Sequence, residues 1–399
     1  MIIRQYYVNE ITKFIDIPLV KILSGVRRCG KSTILEMIKQ ELINNRHIKS
    51  ENIISRKYNE IIYDDMTTKE MYQDLIKEII TTDRYYLFLD ELQEIKGWEK
   101  VINDILEKYN VDIYVTGSNS KLMSSEIATY LSGRYVSIPV YTLSFKEYLT
   151  FKNKENINVK DMFDEYLQFG GFPLIGISNF DTTSAYQVVE GIYSSIITRD
   201  ISKRHKIRNK DLFDRVVKFV IENVGKTFSA NSIVNFLKSE QRTLSVETVY
   251  NYLKWLVDAF IIYPCSRYDI QGKTILKTQE KYYLSDITFK YCKFGFNPSM
   301  IAAMLENIVY LELKRRGYEV YIGKNYNKEI DFIGVKRDEK IYIQVCRELP
   351  KNSDREFNNL MEIKDHYHKY VVTLDKLAKG NENGIEIMHI SDFLLKEKF

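Results

Sequence analysis

Along residues 1–148, short continuous apolar runs alternate with stretches whose apolar residues recur at three- and four-residue spacing. The runs at 20–23, 52–56, 85–89, 112–116 and 135–139 read as strands, with helices between them, notably at 32–43 and 69–80. Strand–helix alternation of this kind predicts a parallel sheet covered on both faces. The run Tyr85-Tyr86-Leu87-Phe88-Leu89 has no charged break, as a central buried strand requires. Residues 149–210 turn mostly helical, with a turn at Gly170-Gly171-Phe172-Pro173, and the helical reading continues through 211–263 to Tyr263-Pro264. Strand–turn features follow at 265–288. From 297 a second α/β block begins: a helix at 300–316, strands near 319–322, 329–335 and 341–345, a helix near 355–366, strands at 370–374 and 386–389, and a last helix. The pattern predicts an α/β chain in four segments, 1–148, 149–210, 211–296 and 297–399, with the polar stretch 153–158 near one boundary. No internal repeat or low-complexity tract interrupts it.

Composition narrows the function classes. Of 399 residues, 45% are hydrophobic and 28% charged, which suits a folded chain rather than a disordered one. The 58 Lys and Arg nearly balance 54 Asp and Glu, so any nucleic-acid surface must be a local patch. Cys29, Cys265, Cys292 and Cys346 show neither paired metal-ligand spacing nor a disulfide framework, which fits a reducing cytosol. The N-terminus lacks a signal-peptide layout, and no apolar run approaches the ~18–20 residues that span a bilayer. A cytoplasmic protein without a membrane partner is expected.

The chemistry concentrates at Gly25-Val26-Arg27-Arg28-Cys29-Gly30-Lys31-Ser32, which fits G-x-x-x-x-G-K-[ST] between a short apolar strand and a helix-forming run. Glycines let backbone N–H groups close around phosphate oxygens, and the new helix points its positive dipole end at the anion. Lys31 is placed to reach the β/γ-phosphates and the Ser32 hydroxyl to bind Mg²⁺. Gly25, Arg28, Cys29, Gly30, Lys31, Ser32 and Thr33 form the candidate nucleotide-binding set. The strand 85–89 runs directly into Asp90-Glu91, adjacent carboxylates that are costly to bury unless they sit beside a cation at the sheet's C-terminal edge. Asp90 is the second candidate metal residue, through water, and Glu91 the candidate group that polarises the attacking water. The strand 112–116 ends in Gly117-Ser118-Asn119, where Asn119 or Ser118 is positioned to orient that water. Arg134, just before the last strand, is a candidate for charge supplied to the γ-phosphate, in cis or from a neighbouring subunit.

These residues resemble an AAA+-type P-loop ATPase of a prokaryotic family that pairs this core with a long C-terminal region. Segments 25–32, 87–91, 116–119 and 132–134 carry the likeness in the first 150 residues. Gly170 to Pro173, Arg199-Asp200 and 306–346 extend it to most of the chain. The resemblance implies a P-loop parallel-sheet ATPase domain, ATP and Mg²⁺ as ligands, ATP hydrolysis to ADP and phosphate, and room for a homo-oligomer.

Two further regions offer partner chemistry. Residues 199–210, R-D-I-S-K-R-H-K-I-R-N-K, form the densest positive stretch, running from Arg199 to Lys210. It is a candidate DNA-phosphate contact, with a solvated helix face as the plain alternative and a nucleotide contact by Arg199 in an oligomer as another. Residues 228–260 resemble a winged-helix module. Ile233, Phe236 and Leu237 stripe one helix, Ser245 is the natural N-cap of the next, and Val249, Leu253, Leu256 and Phe260 line its inner face. Its outer face, Glu247, Tyr250, Asn251 and Lys254, is not strongly basic.

In the last block, Glu306 on a helix, Asp331 in a strand and Gln344-Val345-Cys346 in the next resemble the PD-(D/E)xK nuclease fold over 297–399. That fold implies Mg²⁺ on carboxylates and a lysine beside the attacking water. Here Cys346 stands at the lysine position and Gln344 at an acidic one, so Glu306, Asp331, Gln344 and Cys346 read as a vestigial set. An inactive binding domain, an active nuclease with a substituted lysine such as Lys364, and a plain α/β core are the three readings. The functions that follow are an ATPase driving DNA- or partner-binding modules, a nucleotide-gated protein-interaction switch without a DNA role, and an ATP-coupled DNA nuclease.

Overall fold

The computed structural model describes residues 1–123, 129–131, 133–153, 158–349 and 354–399. Ser132 and most of the 153–158 boundary stretch lie outside the described residues. The chain forms two compact units, Met1–Thr142 with Asp258–Phe260, and Leu143–Val257 with Ile261–Phe399.

The first unit opens with α1 (Gln5–Thr12), followed by β1 (Val20–Ser24), α2 (Lys31–Asn44), β2 (Ile53–Lys57), α3 (Thr68–Ile76), β3 (Tyr85–Asp90), α4 (Trp98–Lys108), β4 (Val111–Gly117) and β5 (Tyr135–Pro139). All five strands are parallel, in the order β2-β3-β4-β1-β5. The five predicted strands are all present, within a residue or two. Every residue of β1, β3 and β4 is buried, because a parallel sheet is covered on both faces and its inner strands need apolar side chains throughout. Lys21 and Asp112 break that rule as a pair. They are fully buried and bonded to each other across β1 and β4, with Lys21 Nζ also donating to the Ile17 carbonyl at 2.8 Å and the Tyr114 hydroxyl to Asp112 at 2.7 Å. The helix predicted at 69–80 stops at Ile76. Thr67 starts it with a capping box to Glu70, and the β-branched run Ile79-Ile80-Thr81-Thr82 disfavours its continuation.

The second unit begins with α5 (Phe145–Lys152), α6 (Val159–Phe169), α7 (Pro173–Ile177) and α8 (Thr182–Ser195), which passes into a π-helical turn at Ile196–Ser202. Then come α9 (Lys210–Glu222), α10 (Ala230–Ser239), α11 (Val246–Asp258), the antiparallel pair β6 (Ile262–Asp269) and β7 (Thr274–Leu284), and α12 (Thr288–Phe294). The helical reading to 263 overran. α11 ends at Asp258, Phe260 takes a left-handed conformation, and the β-branched and aromatic run Ile261-Ile262-Tyr263 enters β6. The predicted inner-face residues Val249, Leu253 and Leu256 of α11 are buried, and Tyr250 is 60% exposed.

The chain closes with α13 (Ile301–Arg315), β8 (Glu319–Asn325), β9 (Lys328–Lys336), β10 (Glu339–Cys346), α14 (Asp354–Met361), β11 (His368–Thr373), β12 (Gly380–Glu382), β13 (Ile385–His389) and α15 (Ile390–Leu395). One eight-stranded mixed sheet runs β12-β13-β11-β10-β9-β8-β6-β7. Arg267–Asp269 of β6 pair in parallel with residues 322–324 of β8, so the sheet draws strands from both sides of position 296. At the turn 170–173, the Gly171 N–H donates to Asp286 at 2.8 Å, which seats that turn on the start of α12.

Candidate nucleotide site

The loop between β1 and α2 is shaped by close approach. A Cβ on Gly25 would run into the Val140 carbonyl oxygen, so only glycine lets the loop leave β1 there. Arg28 and Gly30 take left-handed conformations, and Gly30 is the N-cap of α2. The start of α2 therefore presents backbone N–H groups and its positive dipole end to the loop's interior. Cys29 contributes main chain to that wall. Its thiol is buried, faces the Val140 carbonyl at 3.3 Å, and is pushed up in pKa by burial.

The loop is braced from a residue outside the motif. Arg4 is buried, and its guanidinium donates to the carbonyls of Cys29 at 2.8 Å and Tyr141 at 3.0 Å while lying 4.5 Å over the Tyr7 ring. Tyr7 in turn accepts the Tyr141 N–H at 3.0 Å. Nothing in the motif signals this brace, because Arg4 lies more than twenty residues upstream of it.

Lys31 is buried, and its ammonium is held by the Gly25 and Val26 carbonyls at 2.8 and 3.1 Å. The Ser32 hydroxyl donates to Asp90 Oδ1 at 3.0 Å. Asp90 ends β3 and also accepts from the Thr116 hydroxyl. Thr33 and Ser32 line a cavity of about 280 Å³ that opens beside Asp90.

Glu91 sits next to Asp90 in a left-handed conformation, a strained position for a residue with a Cβ. Its N–H donates to Thr116 Oγ1 at 3.0 Å, and its carboxylate accepts from Gln93 Nε2 at 2.5 Å and Ser118 Oγ at 3.2 Å. Burial pushes this carboxyl up, but Lys31 and Arg27, with the Gln93 and Ser118 hydrogen bonds, outweigh it and hold it below the usual glutamate range. Gln93 was missed by sequence reasoning. The one available signal was Gly117, where a Cβ would collide with the Gln93 carboxamide. Asn119 is buried two residues beyond β4.

The residues present fit a nucleotide with Mg²⁺. A cradle of N–H groups and Lys31 suits the phosphates, and a hydroxyl already bonded to a carboxylate is the donor pair a hard, oxygen-seeking cation takes. Arg134 is placed elsewhere. Its Nη2 donates to Asn103 and Glu107 of α4, both at 2.6 Å.

The C-terminal residues also come together in part. Asp331 and Gln344 are buried on the adjacent strands β9 and β10, where the Asp331 N–H faces Gln344 Oε1 at 3.4 Å and the Val345 N–H donates to Asp331 at 2.8 Å. Glu306 on α13 accepts from the Tyr283 hydroxyl at 3.2 Å. Cys346 ends β10, half-buried. Lys364 is not on a helix as expected. α14 ends at Met361, and Lys364 is exposed beyond it. Along the basic run, Arg199, Lys203, Lys206, Arg208 and Lys210 are exposed, and the His205 ring stacks on Trp255 at 4.4 Å.

A five-stranded parallel sheet in this order, with the phosphate loop after β1 and the acidic pair after β3, defines a P-loop ATPase domain. Residues 18–149 match the AAA domain family, and residues 160–300 match a domain of unknown function, DUF8612. An uncharacterised protein of Haemophilus influenzae is 38% identical over 400 residues, covering 99% of each chain. Uncharacterised protein MJ1544 of Methanocaldococcus jannaschii is 31% identical over 409 residues, covering 96% of this chain and 88% of its own. The chain belongs to the family these two proteins represent. Among solved structures, the Walker-type ATPase PABY2304 of Pyrococcus abyssi shares the fold, with a TM-score of 0.52 at 15% identity over 73% of this chain and 95% of that one. Among the described residues, no helix is long and apolar enough to cross a membrane.

Proposed function

We propose that this chain is a Mg²⁺-dependent ATPase whose nucleotide state drives DNA-binding modules in the rest of the chain. The observation that carries the first half is the Ser32–Asp90 hydrogen bond beside a buried, ionised Glu91. Bound Mg²⁺ would neutralise charge on the phosphates, held by Ser32 directly and by Asp90 through water. This chain's own residues do the rest. Loop N–H groups and Lys31 bind the phosphates, with Lys31 exchanging its two carbonyl partners for phosphate oxygens. Glu91, kept as a carboxylate by Lys31 and Arg27, accepts the proton of the attacking water. Gln93 and Ser118 orient that carboxylate, and Asn119 flanks the same strand end. Arg134 acts on the γ-phosphate from a neighbouring copy, since within its own chain it is turned onto α4.

The DNA half rests on the exposed cations of the 199–210 run, with the His205–Trp255 stack behind them. Residues 297–399 serve as a nuclease-like binding domain that does not cut, because Cys346 supplies no cation and Gln344 no charge. ATP turnover measured with and without duplex DNA across salt tests the coupling. Stimulation that declines as salt rises is expected. A flat response would replace DNA with a protein partner.

A further inference from the structure

A nuclease-like site needs a cation beside Glu306, Asp331 and Gln344, and here an ammonium already lies against Glu306 and the neighbouring Glu329. Lys281 comes from β7, on the far side of the sheet order from β10, so no motif spacing announces it. Its side chain is only 6% exposed. Nζ lies 2.8 Å from Glu329 Oε1 and 3.6 Å from Glu306 Oε2. Tyr283 is two residues along β7, hence on the same face, and bonds Glu306 as well. Asp331, for its part, is tied to the Val345 N–H. Among the described residues, no three His, Cys, Asp or Glu side chains converge as metal ligands. The donor set thus does not fit Mg²⁺: one acidic position is a neutral amide, and the remaining negative charge is met by an internal cation.

We propose that Lys281 occupies the place of the divalent cation, so that the C-terminal sheet is a nuclease-like domain closed to metal. This rests on the nuclease-like reading of residues 297–399. It accounts for why acidic groups persist where catalysis has lost its lysine: Glu306 and Glu329 are needed to keep a buried ammonium paired.

The test is Mn²⁺ uptake by the nucleotide-free full chain, read by electron paramagnetic resonance. Wild type and Asp331→Asn should take up Mn²⁺ equally. Lys281→Met should gain one further Mn²⁺ per chain, bound at least tenfold more tightly than any in wild type, and lose it when Asp331→Asn is added. Wild-type uptake that falls in Asp331→Asn would overturn the proposal and leave the nuclease-like reading standing. A folded Lys281→Met with no added Mn²⁺ would overturn both. Circular dichroism melting establishes folding, and Lys281→Gln is the second variant. Should neither fold, wild-type uptake that falls in Asp331→Asn still overturns the proposal.

Discussion

Arg4 Nη1 donates to the carbonyl oxygen of Cys29 at 2.8 Å, tying the segment before α1 to the middle of the phosphate loop. The same guanidinium holds the Tyr141 carbonyl, so one side chain fixes the loop and the chain leaving β5 together. Arg4→Met should leave these buried carbonyls short of a donor, at about 1–3 kcal/mol for such a group. Thermal denaturation should register that loss, and nucleotide affinity should fall with it. Unchanged affinity in a destabilised variant would confine Arg4 to a packing role.

Lys31→Ala and Glu91→Gln should separate binding from hydrolysis. The first removes the charge that holds phosphate, so nucleotide affinity drops. The second keeps shape but loses the proton acceptor, so ATP binds and persists while turnover falls on the order of a hundredfold or more. Equilibrium binding and single-turnover hydrolysis measure the two effects. Wild-type turnover in Glu91→Gln would remove Glu91 from the chemistry.

The lowered pKa of Glu91 sets a pH signature. A carboxyl depressed in the folded state lends stability that is present above its unfolded pKa and lost as pH falls through the folded value. The acid limb of kcat/KM should therefore lie below the ordinary glutamate range. Glu91→Gln should remove the loss of melting temperature that protonating Glu91 causes as pH falls. A limb near neutrality would point to a different base.

Arg134→Ala should lower turnover more than nucleotide affinity, because the guanidinium meets charge that grows in the transition state. Mixing it with Lys31→Ala protein should restore part of the activity at shared interfaces. Absence of rescue at every ratio would exclude action from a neighbouring copy.

Neutralising Lys203, Arg204 and Lys206 together should weaken DNA binding and flatten the log-affinity against log-salt slope by roughly 0.9 per lost phosphate contact on B-DNA. A slope equal to wild type would place the contact elsewhere.

What could be read from the sequence was what local physics writes locally. The five strands of the first unit are short apolar runs. The phosphate loop is a contiguous motif between a strand and a helix, and Asp90 and Glu91 follow directly on a buried strand. Ser245 caps α11 within a single turn, and its hydroxyl meets the Thr248 N–H at 3.2 Å. Tertiary structure decided whatever depended on residues distant in sequence. It brought Arg4 under the loop, laid Gln93 across Gly117 onto Glu91, and turned Arg134 onto α4. It paired Lys21 with Asp112, two charges that read singly as blemishes in apolar strands. It also carried Lys281 from β7 to Glu306 and Glu329. A periodic pattern tells a residue only which side of its own element is buried. Which charge meets which, and whether a carboxylate faces water, a metal or a lysine, is set by the order in which strands assemble, and that order appears only once the sheet has formed.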